Sequence, residues 1–170
     1  MNSLANNLSE QFSEATYVDS HGQDVFYVTK ESYKSIVQFL KDKCDVNMCI
    51  DVTAADFLTA NQREQISGVE QTRFHLVSNF ISHKRNERIR LIVPIDEHDT
   101  TVDTISDIFP GANFAEREVY DMFGIVFTGH NDMTRILMPD EWEGFPLRKD
   151  DPAARIPVNF SDDIARAGEK

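Results

Sequence analysis

Glu116 and Glu118 stand one residue apart in "EREVYDMFGIVF", residues 116–127, and Asp140, Glu141 and Glu143 crowd "PDEWEG". Paired carboxylates are the groups that general acid/base hydrolysis uses, one giving a proton while the other takes one or attacks. The spacing argues against that use at 116/118. On a helix, residues i and i+2 point about 200° apart and do not meet at one substrate atom. Asp140, Glu141 and Glu143 fit better as first-turn acids of a short helix opening after Pro139.

Metal chemistry has as little support. His21, His75, His83, His98 and His130 are scattered, and none shares a helix face with a second ligand at a metal-binding spacing. Cys44 and Cys49 form a single C-x4-C pair, whereas a structural zinc site wants four ligands. Both cysteines read as small buried hydrophobes in a reducing compartment. There is no glycine-rich phosphate loop, no G-x-S-x-G elbow and no dinucleotide or flavin box. The residues therefore assign no catalytic, no cofactor-binding and no metal site.

The totals agree with a binding role. The chain has 170 residues, 41% of them hydrophobic, enough for one compact domain with an extension. A formal net charge of −12 argues against a nucleic-acid partner. No stretch approaches the roughly 20 apolar residues of a membrane span. The opening "MNSLANNLSEQFSEATY" has no basic or apolar region of the kind that targeting signals carry. These features predict a cytoplasmic chain that reaches a membrane only through a partner.

The elements that must position any site follow from periodicity. Residues 2–14 read as a short polar helix, and "TYVDSHGQDVFYVT" as a hairpin turning at Gly22. Thr29 is placed to cap a helix carrying Tyr33, Ile36, Val37 and Leu40 on one face. "VNMCIDVTAADF" reads as a buried strand and 59–70 as a surface connection. "TRFHLVSNFIS" and "RIRLIVPI" then make an antiparallel hairpin across "HKRNE". Arg73, Lys84, Arg85, Arg88 and Arg90 concentrate base around it, either as a solvated face or as a contact for an acidic partner.

"TTVDTISDIFP" predicts a short helix with Val102, Ile105 and Ile108 or Phe109 on one side, ended by Pro110. Ala112–Phe123 predicts another. Its apolar face holds Ala112, Ala115, Val119, Met122 and Phe123, with Glu116 and Glu118 at its edges. Arg117 and Asp121 lie opposite at i,i+4, able to pair. Gly124 fits the left-handed C′ position. The fold expected is α+β, a two-layer mixed or antiparallel sheet with helices on one side, over residues 1–127.

After Phe127 the texture changes. Gly129, Pro139, Gly144, Pro146, Pro152 and Pro157 break any regular element, yet Ile136, Leu137, Met138, Trp142, Phe145, Leu147, Ile156, Val158 and Phe160 are too many anchors for a disordered tail. Residues 128–170 are expected to form an extended irregular arm with its anchors buried against something else.

The stretch Gly111–Asp150, "GANFAEREVYDMFGIVFTGHNDMTRILMPDEWEGFPLRKD", resembles the signature of the 30-kDa subunit of respiratory complex I, which in bacteria is the NADH-quinone oxidoreductase. "CIDVTAADF", "RFHLVSNF" and "RIRLIVPI" extend the likeness over residues 25–155. The departures are local: "GHNDM" where G-H-P-D-L is common, Phe145 in place of His or Tyr, and Asp151 in place of an aromatic. The resemblance implies a chain without cofactors of its own, the iron-sulfur clusters, FMN and quinone lying in partner subunits. It implies a place in the peripheral arm of a proton-translocating enzyme on the cytoplasmic face of the bacterial inner membrane. There it would lie against the 49-kDa subunit and neighbouring cluster-carrying subunits, near the quinone-reducing end. Related membrane-bound hydrogenases and other donor-linked oxidoreductases use similar subunits. On this reading Arg117, Asp121, Arg135, Arg148, Lys149 and Asp150 make ion pairs between subunits or between domain and arm, and Trp142, Phe145 and Leu147 are buried anchors.

Overall fold

A computed structural model describes residues 1–60 and 63–151. Helix α1 (Ser3–Gln11) leads into the hairpin β1 (Thr16–Ser20) and β2 (Gln23–Tyr27). His21 and Gly22 between them have φ of 55° and 80°. Two successive positive values are the primed turn whose twist matches paired strands, which is why glycine sits here.

Helix α2 (Lys30–Lys43) follows, with the Thr29 side chain accepting the backbone N–H of Ser32 at its N-terminus. The four apolar residues expected on its face, Tyr33, Ile36, Val37 and Leu40, are fully buried. Strands β3 (Met48–Asp56), β4 (Phe74–Ser82) and β5 (Glu87–Ile95) complete the first sheet, in the order β1-β2-β5-β4-β3. β2 and β5 run parallel and all other neighbours antiparallel. The expected mixed sheet is present.

The inward residues of β4 are Phe74, Leu76, Ser78 and Phe80, in strict alternation. Ser78 occupies the core position because its hydroxyl accepts a hydrogen bond from Tyr33 at 3.1 Å, which satisfies two buried polar groups at once. Ile89, Leu91, Val93 and Ile95 of β5 complete this face, and residues of all three helices pack on it in one continuous core. Cys44 and Cys49 are buried free thiols within it, as expected.

The segment 101–109 differs from its expected helix. Thr101–Asp103 is instead a strand, β6, parallel to β7 (Val126–Thr128), and a single turn closes by Phe109 N–H donating to Ile105 O at 2.8 Å. The run is too short to offset helix nucleation, and its β-branched start suits a strand once β7 supplies a partner. Ile105, Ile108 and Phe109 are buried all the same.

Helix α3 (Ala112–Phe123) ends at Gly124, with φ 73°. A Cβ on Gly124 would stand 2.6 Å from both Phe145 Cε2 and Arg148 Nη2, so glycine is required for space as well as backbone angle. Residues 129–151 form neither helix nor strand and return across α3 as a strap. Residues 152–170, with the expected anchors Ile156, Val158 and Phe160, lie outside the described residues. We expect Gly124→Ala to cost more than about 2 kcal/mol in urea unfolding, from left-handed strain plus overlap. Gly111→Ala, with open space around it, should stay within about 0.5 kcal/mol. Equal effects of the two would exclude the contact with the strap as the cause.

Candidate docking site on helix α3 and the strap

Helix α3 carries two carboxylates that are fully buried, and each does a different job. Glu116 was expected at the edge of the apolar face. It lies inside, its Oε1 accepting the backbone N–H of Ile105 at 2.8 Å and its Oε2 accepting the Thr104 hydroxyl. His130 Nε2 stands 3.8 Å from the same Oε2 and 3.2 Å from the carbonyl oxygen of Asn113. His130 Nδ1 accepts the N–H of Asp132 at 3.0 Å, so Nε2 carries the ring proton and donates to Asn113. Burial pushes the Glu116 carboxyl up to about 7, against the lowering effect of its two hydrogen bonds. Glu118 is exposed, so no acid/base pair forms.

Asp121 was expected on the solvent side, paired with Arg117. It is buried, and its partners come from the strap. Arg135 Nη1 donates to Asp121 Oδ1 at 2.6 Å, and the backbone N–H groups of Ile136, Leu137 and Met138 donate to Oδ2 at 3.0, 2.8 and 2.8 Å. Burial raises the carboxyl, but the three amides and the guanidinium outweigh it and hold Asp121 below the usual carboxylate range. An i,i+4 pair on the surface supplies one donor; this nest supplies four. Arg117 turns instead to the carbonyls of Thr134 and Arg135, both at 3.0 Å, with Asp132 3.7 Å away.

Arg135 spends its remaining donors on the strap itself, giving hydrogen bonds to the carbonyls of Trp142 and Gly144 at 2.9 and 3.0 Å. Phe145 then lies between Tyr120, with ring centroids 6.2 Å apart, and the guanidinium of Arg148, 4.6 Å from its ring. Arg148 also faces Phe74 of the core at 5.2 Å. The N–H of Leu147 donates to Met122 O at 3.0 Å, and that of Lys149 to Asp56 Oδ2 at 2.8 Å. Asp150 pairs with Arg73 at 2.5 Å, which also holds Asp56 and Glu97 at 3.0 and 3.1 Å. Asp151 accepts the N–H of Phe145 at 2.6 Å.

The arrangement has no substrate-sized ring of reactive groups. Most of its polar atoms fix an irregular segment to α3 and to the ends of β3 and β4, while the buried Trp142 Nε1–H has no partner among the described residues. Outward it mixes charged and apolar groups: Asp140, Glu141, Glu143 and Lys149 are exposed, Leu137 and Leu147 are 60% and 49% exposed, and Trp142 and Phe145 are half-buried. Among the described residues no group of three or more His, Cys, Asp or Glu could hold a metal ion, and no helix is long and apolar enough to cross a membrane.

The model of the family described as "Respiratory-chain NADH dehydrogenase, 30 Kd subunit" matches residues 26–156. The chain belongs to that family. An NADH-quinone oxidoreductase subunit of Geobacter sulfurreducens is 40% identical to it, over 77% of this chain and 75% of that one. A solved trypsin-resistant fragment of Nqo5 superposes with a TM-score of 0.66 at 30% identity, over 76% of this chain and 98% of that chain. The fold is also shared with a chain of the membrane-bound sulfane sulfur reductase, an archaeal respiratory membrane complex, with a TM-score of 0.71 at 23% identity over 89% and 86%. The family match bears out the resemblance that the sequence motifs carry over residues 25–155.

For this family member, the expected site residues divide by partner. Asp121–Arg135 and Asp150–Arg73 join domain to strap, Arg117 and Arg148 hold carbonyls of their own chain, and the Lys149 side chain is exposed. Sequence reasoning passed over Asp56, Thr104 and His130. Each acts through a segment distant in the chain, so no local spacing marks it.

Two pH effects of opposite sign follow. Asp121, depressed when folded, stabilises fully above its unfolded pKa near 4, and that contribution is lost as acid protonates it. Asp121→Ala should cost about 3–5 kcal/mol at neutral pH, since it strands a largely buried guanidinium. Glu116, raised to about 7, keeps a proton that the unfolded chain releases, so stability falls as pH rises from about 4.5 to 7. Glu116→Gln should match the native protein at pH 4.5 and exceed it by about 3 kcal/mol at pH 8. Thermal unfolding of both across pH reads the difference, and a pH-independent gap would refute the raised pKa.

Proposed function

We propose that this chain is a cofactor-free subunit of the peripheral arm of a proton-translocating NADH:quinone oxidoreductase. In this reading it braces the arm near the quinone-reducing end, on the cytoplasmic face of the inner membrane. It holds to the 49-kDa subunit and to neighbouring cluster-carrying subunits and reaches the membrane only through them. Family membership supports the enzyme. The strap supports the mode of action: its backbone is locked by Asp121 and Arg135 while Leu137 and Leu147 are left exposed. Fixed apolar groups on an irregular segment suit a docking surface, because little ordering entropy remains to be lost on contact.

Arg117, Asp121, Arg135, Arg148, Lys149 and Asp150 then act at the interface mainly by shaping the strap, and Trp142, Phe145 and Leu147 supply contact area. Trp142 stands out because Arg135 holds its carbonyl and its ring is half-buried. The tagged chain, purified from detergent-solubilised membranes, should bring down the other oxidoreductase subunits, identified by mass. The isolated chain should show no NADH oxidation and no flavin or cluster absorbance. Trp142→Ala should lower retention in the complex by about thirtyfold, the scale of a 2 kcal/mol hot spot. An unchanged yield would remove Trp142 from the interface, and a bound flavin or cluster would overturn the cofactor-free reading.

A further inference from the structure

Glu116 is a buried carboxyl whose surroundings fit two protonation states. Its side chain and that of His130 are both fully enclosed, with His130 Nε2 3.8 Å from Glu116 Oε2. Two hydroxyls stand in line from the same oxygen. Thr104 Oγ1 bonds Oε2, and Ser106 Oγ lies 2.8 Å from Thr104 Oγ1. The Ser106 N–H also donates to Thr104 Oγ1, at 3.1 Å. Thr104 is buried and Ser106 half-buried, so the pair leads from the carboxyl toward solvent. When Glu116 is ionised, the Thr104 hydroxyl donates to it and accepts from Ser106. When Glu116 is protonated, its Oε2–H donates to Thr104 Oγ1 and the Thr104 hydroxyl turns to Ser106 Oγ. A hydroxyl both donates and accepts, so only hydrogens need to move. The proton passes to water, and returns, along these two hydroxyls.

The His130 side lacks that symmetry. Its Nε2–H goes to the Asn113 carbonyl at 3.2 Å, a long bond to an oxygen that, inside α3, already accepts from the helix. An ionised Glu116 held by the Thr104 hydroxyl and the Ile105 N–H alone is underpaired for its depth. The His130 N–H is a further donor within about 1 Å of bonding distance. A charge-assisted bond is roughly twice as strong as a neutral one. The other groups facing this site do not compete. Lys34 of α2 and Asp107 pair with each other at 2.8 Å. Tyr33 of α2 donates to Ser78 and is held protonated by burial, and burial pushes the Cys49 thiol of β3 up to about 12. Asp132 of the strap is held below the usual carboxylate range by its bonds from Thr134. Of these acids Glu116, raised to about 7, is the one that changes charge near neutrality.

We propose that Glu116 and His130 form a proton-operated latch at the entry to the strap. On ionisation of Glu116 the His130 Nε2–H passes from the Asn113 carbonyl to Glu116 Oε2, and residues 130–134 shift with the ring. The ring is tied to that segment. Its Nδ1 accepts the Asp132 N–H at 3.0 Å, Asp132 Oδ1 accepts the Thr134 N–H at 3.2 Å, and Arg117 grips Thr134 through its carbonyl and its hydroxyl. Raising the pH through neutrality sets the latch, and lowering it releases the latch. The latch stands on this geometry by itself. Its use in re-aiming the strap toward a partner rests on the reading of the strap as a contact surface.

The test is backbone and imidazole NMR of the isotope-labelled full chain from about pH 5.5 to about pH 8.5. The Ile105 amide, bonded to Glu116 Oε1, should titrate together with the Asp132 and Thr134 amides, with a midpoint of about 7. The His130 Nε2–H proton should move downfield as the pH rises. Glu116→Gln should abolish all three amide titrations. His130→Gln should keep the Ile105 titration and lose that of Thr134. Asp132 and Thr134 amides that titrate unchanged in Glu116→Gln overturn Glu116 as the source. An Ile105 amide that titrates while Thr134 stays flat overturns the latch, as does a Thr134 titration that survives His130→Gln. Flat signals throughout overturn it outright. The full chain needs no partner for these measurements, so its failure to bring down oxidoreductase subunits would remove the proposed function and leave the latch standing.

Discussion

One carboxylate carries the junction on which the rest of the strap depends. A segment without helix or strand has no ladder of its own for its N–H groups, and a buried carboxylate has no water. Asp121 and residues 136–138 resolve both shortages together, three amides and a guanidinium converging on one side chain. The desolvation of a charge is repaid only when its lone pairs are filled in good geometry. Arg135 meets the complementary need, filling carbonyls at Trp142 and Gly144. The turn of the strap is thereby fixed from both sides of its backbone.

From that junction the constraint passes to the core. Arg148 lies between the rings of Phe145 and Phe74, so the strap's aromatic and the sheet's inward face share one cation. Arg73 gathers Asp56, Glu97 and Asp150 around the ends of β3 and β4. Lys149 and Asp150 thereby tie the strap to the ends of β3 and β4. Gly124 belongs to the same unit, because its missing Cβ is the space Phe145 and Arg148 occupy.

The sequence made the sheet legible because its signals are local. Alternation in β4 and β5, the cap at Thr29 and the apolar stripe of α2 each lie within one element. The helix wheel of α3 failed at Glu116 and Asp121 for the opposite reason. A wheel ranks residues by their own polarity, but these two are buried because Thr104, Ile105, Arg135 and 136–138 bring donors from elsewhere. Segment 101–109 shows the same limit: its apolar spacing read as a helix until β7, more than twenty residues on, offered a ladder. The charged strap residues were recognisable as important, while which groups they pair with was not. Spacing shows which groups are costly to leave unpaired, and tertiary structure decides what pairs them.

These pairings bear on how a member of this family would contribute to an assembly. An arm that ordered only on contact would lose conformational entropy at that moment, with affinity reduced accordingly. Here residues 129–151 are ordered within the chain, by bonds made to its own helix and sheet. The buried charges of α3 and the strap are already paired within the chain, so a partner meets exposed Leu137 and Leu147 on a fixed backbone. Burial of those groups then converts to association with little deduction for ordering. The stability of the domain and the strength of the proposed contact thus depend on the same buried carboxylate. A substitution at Asp121 would therefore weaken association without touching the partner.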